Sequence, residues 1–250
     1  MFFNLEARNV NFTEFEGKII VITGTASGIG HAQAQRFLQQ GAFVYGIDIQ
    51  PTTITHQNYV HFEGSVTDNF FLQKSLGPLM KVDILCNTAG ILDGYVKTLE
   101  TDEELWDTIF EVNVKGLYNV TNVVLPKMLS VGRGVIINMA SIAGLIAGGG
   151  GAAYTAAKHA VIGYTKQLSY DYVKEGIRVN AIAPGAIETA MNAADFAGDG
   201  EMAKWVANET PAKRWAQPEE VANATLFLAS SAADYMHAIV LPIDGGWMNK

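Results

Sequence analysis

The chain of 250 residues has one cysteine, Cys86. It can form no internal disulfide, and a reducing, cytoplasmic setting is the simplest reading. Cations are also scarce. There are 17 Lys and Arg against 25 Asp and Glu, a net charge of −8. Phosphate contacts need clustered Lys and Arg, so a nucleic-acid partner is excluded as a reading. No apolar run approaches the roughly 20 residues of a membrane span. The opening MFFNLEARNVNF carries Glu6 early and has no long apolar core, which argues against a signal peptide. There is no internal repeat, no linker rich in Pro or Ser, and no metal-ligand pattern. The four glycines Gly148–Gly151 are too few to separate domains.

What is present is core-forming residue. Apolar types make up 49% and charged types 17%, a composition that argues against disorder. Length fits one large α/β domain, read as 15–250 behind an extension over 1–14. Apolar runs recur at Ile19–Thr23, Phe43–Ile47, Tyr59–Phe62, Val82–Cys86, Val135–Met139, Ile177–Ile182 and Ile239–Ile243. Most are continuous and β-branched, as parallel strands covered on both faces are. Segments between them are long enough for crossover helices. Thr101-Asp-Glu-Glu104 reads as a capping box, and Gln217-Pro218-Glu219-Glu220 as a helix start with Pro in the first turn. The fold class expected is α/β: a Rossmann-type, doubly wound, parallel seven-stranded sheet with helices on both faces.

The first strand runs into TGTASGIG, Thr23 to Gly30. In such a sheet the first strand-to-helix turn faces the ligand crevice. Glycine there lets the chain turn tightly and lets backbone approach a pyrophosphate. The helix N-terminus adds unpaired N–H groups. Gly24, Gly28 and Gly30 can fill these roles, although the spacing departs from GxGxxG. Glycines in such a turn can also be purely structural. Asp48, 18 residues after Gly30, supplies a second signal. An acid at about this distance accepts hydrogen bonds from adenosine ribose hydroxyls and repels a 2′-phosphate. With no Arg or Lys in Thr23–Gly30 or Gly46–Gln50, NAD(H) is preferred over NADP(H).

YTAAK places Tyr154 and Lys158 one helical turn apart. An ammonium beside a phenol favours the phenolate and would lower its pKa from about 10. Such tuning suits acid–base work on a carbonyl or alcohol. The pattern alone is common on helix surfaces. Its context is not: Ser141 lies thirteen residues upstream at a strand end, Asn113 in FEVNVKG, Asn87 to Gly90 (NTAG) after VDILC, and Pro184-Gly185 after RVNAIA. All belong to the edge that carries the glycine turn.

Together these motifs, with a closing DGG at Asp244–Gly246, resemble the short-chain dehydrogenase/reductase family from about Phe15 to Gly246. The resemblance implies a catalytic set of Asn113, Ser141, Tyr154 and Lys158. Tyr154 would be the acid/base, Ser141 would polarise the substrate carbonyl, Lys158 would bind the nicotinamide ribose, and Asn113 would hold a proton-relaying water. Implied cofactor contacts are Gly24, Ser27, Gly28, Ile29 and Gly30, Asp48 and Ile49, Val66, Asn87, Ala89 and Gly90, Tyr154 and Lys158, and Pro184, Gly185, Ile187 and Thr189. Two positions depart from the family pattern: Thr88 stands where NNAG has a second Asn, and Ser65 where an Asp is usual. Cys86 reads as core. The resemblance also implies a homotetramer.

After Pro-Gly, residues 188–215 read as the substrate lid. Met191, Phe196, Met202, Trp205 and Trp215 lie there, with Gly198 and Gly200 as hinges. Those aromatics suit either an apolar substrate or a subunit contact. The function expected is NAD(H)-dependent interconversion of a secondary alcohol and a ketone (EC 1.1.1.-), acting on a small molecule. The alternative is a 3-oxoacyl-[acyl-carrier-protein] reductase. Against it stands the net charge, which would repel an acidic carrier protein unless Lys127 and Arg133 form a basic patch at the active-site edge. A non-catalytic dinucleotide sensor is the remote alternative.

Overall fold

The computed structural model describes residues 13–250. Seven strands form one parallel sheet in the order β3-β2-β1-β4-β5-β6-β7. They are β1 Ile19–Thr23, β2 Phe43–Asp48, β3 Tyr59–Glu63, β4 Ile84–Asn87, β5 Gly134–Met139, β6 Ile177–Pro184 and β7 Val240–Ile243. The helices are α1 Gly28–Gln39, α2 Asn69–Leu76, α3 Glu103–Phe110, α4 Leu117–Ser130, α5 Ala152–Tyr172, α6 Glu201–Glu209 and α7 Pro218–Ala229. A π-helical turn, Glu111–Gly116, joins α3 to α4.

The continuous apolar runs are explained by burial on two sides. Ile20 and Ile22 of β1 pack in one layer with Phe37 of α1 and Leu226 of α7. Val21, between them, packs in the other with Leu72 of α2 and Val124 of α4. Leu85 and Cys86 of β4 divide between the layers in the same way. Fully burying each such side chain stabilises by roughly 1.5–3 kcal/mol. Where a strand does carry a buried polar side chain, as at Asn138, Arg178 and Asn180, that side chain is hydrogen-bonded within the protein. Cys86 is fully buried, and burial pushes its thiol pKa far up. It is a core side chain and no nucleophile.

Strand order reverses between β1 and β4, which puts a crevice beyond their C-terminal ends. Every chemistry-bearing loop identified in the sequence leaves from that edge. One cap differs from expectation and one agrees with it. Asp102, not Thr101, caps α3, accepting from Leu105 N–H at 2.8 Å, while the Thr101 hydroxyl turns back to Lys97 O. An Asp carboxylate one residue nearer the helix outcompetes a hydroxyl for the first-turn donors. At α7, Gln217 N–H donates to Glu220 Oε2 at 2.9 Å, with Pro218 inside the first turn as expected. Glu14, read as part of the extension, binds Ser231 through N–H and Oγ at 2.9 and 3.1 Å. Phe15 beside it stacks edge-on against Phe37. Residues 1–12 of the extension lie outside the described residues.

Candidate active site

The crevice is a single cavity of about 740 Å³ running from Asp48 to the segment 191–215. Its floor is the β1–α1 turn. Gly24 has φ +79°, where a side chain is strained, and a Cβ there would meet the Ala89 backbone at 3.0 Å. A Cβ on Gly30 would sit 2.1 Å from Gly24 O. Only glycine lets the first turn of α1 fold this close to the strand it leaves. Ser27 is the N-cap of α1, yet its side chain makes no cap bond. The first-turn N–H groups of Gly28, Ile29 and Gly30 therefore face the cavity with the helix dipole behind them. That donor set fits the pyrophosphate of a dinucleotide.

Asp48 stands at the end of β2 on the same cavity. Ala26 N–H donates to one carboxylate oxygen and Gln50 N–H to the other, both at 2.9 Å. Each oxygen keeps a free lone-pair direction, which suits ribose hydroxyls. Ile49 and Val66 line the same end. Thr23 closes the floor by accepting N–H bonds from Thr88 and Ala89, both at 2.9 Å, in its hydroxyl oxygen.

At the other end the C-terminal end of β5, the π turn and α5 bring four polar side chains together. Ser141, Tyr154, Lys158 and Asn113 are all buried. The first three line the cavity. Lys158 Nζ donates to Met139 O at 2.8 Å and lies 5.4 Å from the Tyr154 ring centre. Asn113 sits in the π turn, with Oδ1 accepting from Ile91 N–H at 2.8 Å and Nδ2 donating to Ile91 O at 2.9 Å. These two bonds hold the loop after β4 against the π turn. The site of a Cβ on Gly90 is 3.0 Å from Asn113 Oδ1 and 3.6 Å from Lys158 Nζ, so a larger residue would pry the two helices from the loop.

The electrostatics correct one expectation. Burial pushes the Tyr154 phenol up to about 12, a hydrogen bond with Ser141 works against that, and the charges near Tyr95 and Asp93 add to the rise. Burial likewise brings the Lys158 ammonium down to about 8. Desolvation outweighs the ammonium–phenol attraction because both groups are dry. The phenol is thus a standing acid at neutral pH.

With this geometry described, the comparisons are clear. A family model described as enoyl-(acyl carrier protein) reductase matches residues 24–248. A 2-dehydro-3-deoxy-D-gluconate 5-dehydrogenase of Bacillus subtilis is 35% identical, over 94% of this chain and 96% of its own. A 3-oxoacyl-[acyl-carrier-protein] reductase of Thermotoga maritima is 37% identical, over 92% and 98%. The ligand-free aldohexose dehydrogenase structure from Thermoplasma acidophilum superposes with a TM-score of 0.90 at 30% identity, covering 96% and 97%. The chain belongs to the short-chain dehydrogenase/reductase family. It is an oxidoreductase at the hydroxyl/ketone level, and its family binds a nicotinamide dinucleotide.

Within this dehydrogenase/reductase fold, most residues singled out in the sequence line one cavity: Ala89, Gly90, Pro184, Gly185, Ile187 and Thr189 join those above. Asn87 does not. Its Nδ2 donates to Thr121 Oγ1 at 3.1 Å and Asn138 Oδ1 at 2.9 Å, and Asn138 Nδ2 donates to Thr165 Oγ1 at 2.9 Å. This buried chain of amides and hydroxyls keys α4 and α5 to the sheet. Lys127 and Arg133 are also misplaced by the sequence reading. One lies in the last turn of α4 and the other just before β5, at the N-terminal edge of the sheet, opposite the cavity. Lys127 Nζ is held by Gly77 O.

Two residues escaped the sequence. Asp93 is buried, and its carboxylate accepts from Gly151 N–H and Tyr154 N–H, both at 2.8 Å. It caps α5 from 58 residues away. The signal was negative: four glycines precede YTAAK, with no Ser, Thr or Asp to cap that helix, so the cap had to come from elsewhere. Tyr95 follows with φ +61° and lines the cavity. The segment 188–215 is clamped at its base, where Glu188 N–H donates to Ala216 O and Ala216 N–H to Ala186 O, at 2.9 and 3.0 Å. Met191, Met202, Trp205 and Trp215 line the cavity. Phe196 packs on Trp215 at 4.9 Å between ring centres.

Proposed function

We propose that this protein is an NAD(H)-dependent short-chain dehydrogenase that interconverts a secondary alcohol and a ketone. The observation that carries the reading is the meeting of Tyr154, Ser141 and Lys158 on the cavity whose floor is the uncapped N-terminus of α1. When bound, the dinucleotide supplies or accepts the hydride. The chain's own residues do the rest. The Ser141 hydroxyl donates to the carbonyl oxygen and orients it. The Tyr154 phenol, protonated at neutral pH, gives that oxygen its proton. Lys158 takes ribose hydroxyls and holds the backbone at Met139 O. The apolar segment 188–215 excludes water from the transfer.

Asp48 supports NAD(H) over NADP(H), because its carboxylate would oppose a 2′-phosphate and no cation lines that end of the cavity. The single, buried cysteine supports a cytoplasmic setting. Exposed Tyr118 on α4 and Tyr170 on α5 support a homotetramer packed through those helices. The Thermotoga relative's name supports 3-oxoacyl-[acyl-carrier-protein] reduction as the second reading. Against it, Lys127 and Arg133 face away from the cavity mouth.

A panel of cyclic, linear and thioester ketones followed by NADH absorbance tests the reading. Tyr154→Phe should lower kcat at least about 100-fold while NADH still binds. Alcohol oxidation needs the phenolate, so its rate should climb with pH through the alkaline range while ketone reduction does not. Activity retained within tenfold by the variant would remove Tyr154 from the chemistry. In a second experiment, Asp48→Ala should cut the NADH-over-NADPH ratio of kcat/KM by at least about tenfold; a wild type that prefers NADPH would end the Asp48 argument. Light scattering should give the mass of four chains, and a monomer would contradict the assembly.

A further inference from the structure

Beyond the reacting groups, the cavity has a second lobe. Its walls are Tyr95, Met202, Trp205, Trp215 and Trp247, with one carboxylate, Asp195, from the 190–196 turn. Among the residues lining the whole cavity, Lys158 is the one cation, and its ammonium is held by Met139 O on the cofactor side. The cations near this lobe in sequence are engaged elsewhere. Lys204 Nζ donates to Asp199 O, Lys213 Nζ to Asn208 O, and Arg214 forms a two-pronged pair with Glu220. Lys250 Nζ lies 3.5 Å from the centre of the Trp247 ring and is paired with Glu209 Oε2 at 3.2 Å. Asp195 has no partner among the ion pairs of the described residues.

Asp195 lies close enough to Tyr95 for its charge to be felt there. The Tyr95 hydroxyl pKa is raised by burial first, then by Asp195 and by Asp93. Tyr95 in turn is felt by Tyr154. Asp195, Tyr95 and Tyr154 all line this one cavity. Its geometry is held by force. Tyr95 adopts a left-handed conformation at φ +61°, uncommon for a bulky residue, with its N–H tied to Asp93 Oδ1 at 3.2 Å. Trp215 is fixed by a bond from Nε1 to Ala203 O at 2.9 Å.

We infer that the site accepts an uncharged ketone or alcohol with a broad apolar body, and that Asp195 is the specificity-determining residue that turns away substrates carrying a carboxylate or phosphate. This rests on the dehydrogenase reading above. A sugar acid, a phosphorylated alcohol or a carrier-bound acid would bring its negative charge into a lobe that no cation lines, where Lys250 behind Trp247 is already paired with Glu209 and one carboxylate stands to oppose it. Tyr95, Met202 and Trp205 are about half exposed, so the repulsion is short-ranged and open to salt, and it acts on a charge brought within a few ångströms of Asp195. Discrimination here works by a repulsive element against the wrong class as much as by apolar contact with the right one.

A matched pair isolates the charge: 4-oxocyclohexanecarboxylate and its methyl ester, whose ketones are identical. The wild type should reduce the ester with a kcat/KM at least about 30-fold above that of the acid. In Asp195→Asn that ratio should fall about tenfold, and in Asp195→Lys it should invert. Added salt should narrow the wild-type ratio. A wild type that prefers the acid, or a ratio indifferent to both substitutions, would overturn the inference while leaving the dehydrogenase in place. If neither ketone is reduced, the same ratio is read as Kd from quenching of the cavity tryptophans. Tighter ester binding that Asp195→Lys reverses would uphold the inference and fault the activity reading, and equal binding would overturn the inference.

Discussion

A buried amine is the constraint on which this molecule turns. Lys158 is enclosed by β5, the loop after β4, the π turn and α5, and its contact to Met139 O is the one hydrogen bond of its ammonium to the described residues. Lowering its pKa from 10.5 to about 8 corresponds to roughly 3 kcal/mol of disfavour for the charged form at neutral pH. The unfolded chain binds the proton more tightly between about 8 and 10.5. On this group's account, stability therefore rises with pH across that window and the full cost is felt below it. A fold selected for stability alone would fill the position with an aliphatic side chain. The surroundings are arranged so that the cost can be met. Asn113 is locked on Ile91, Gly90 leaves room for both polar heads, and Asp93 fixes the start of the helix that carries Tyr154 and Lys158.

The same dryness sets the chemistry. A phenol raised to about 12 holds its proton at neutral pH and is ready to give it to a carbonyl oxygen. The amine beside it still carries its charge at neutral pH, with its proton held less tightly than by an exposed lysine. The phenol, hydroxyl and amine to which the proposed chemistry falls are supplied by one helix and one strand end, whose packing is keyed by the amide and hydroxyl chain from Asn87 to Thr165. That chain does not touch the cavity. Its part is to hold α5 in register, which is why an asparagine at the end of β4 matters to a site it never lines.

Much of this was legible in the sequence, for physical reasons. Strands buried on two faces are largely apolar along their length, so all seven runs could be located to within two residues at each end. Sheet order then placed the glycine turn after β1 and the motifs that follow β4, β5 and β6 on one edge. Tyr154, Lys158, Ser141, Asp48 and the glycines were readable because short-range spacing encodes them. Asp93 was not, because a cap supplied across 58 residues has no local pattern. Nor was the sign of the Tyr154 shift, since spacing reports that an ammonium is near and not how dry the pair is. Lys127 and Arg133 were misplaced because charge in a sequence carries no edge of the sheet with it. Thr88, a departure from the family pattern, proved to be a link: its hydroxyl donates to Gln33 Oε1 at 2.6 Å, and Gln33 Nε2 donates to Thr225 Oγ1 at 2.8 Å, tying the cavity loop to α1 and α7.

The measurement closest to the central claim is a pH titration of the Lys158 ε-carbon by NMR in the cofactor-free protein, the signal being assigned by its absence in Lys158→Met. A midpoint near 8, well below those of the exposed lysines, is the result expected of an amine kept dry beside Tyr154. A midpoint at the ordinary lysine value would mean that water reaches the amine, and the acid–base balance built on its burial would fall.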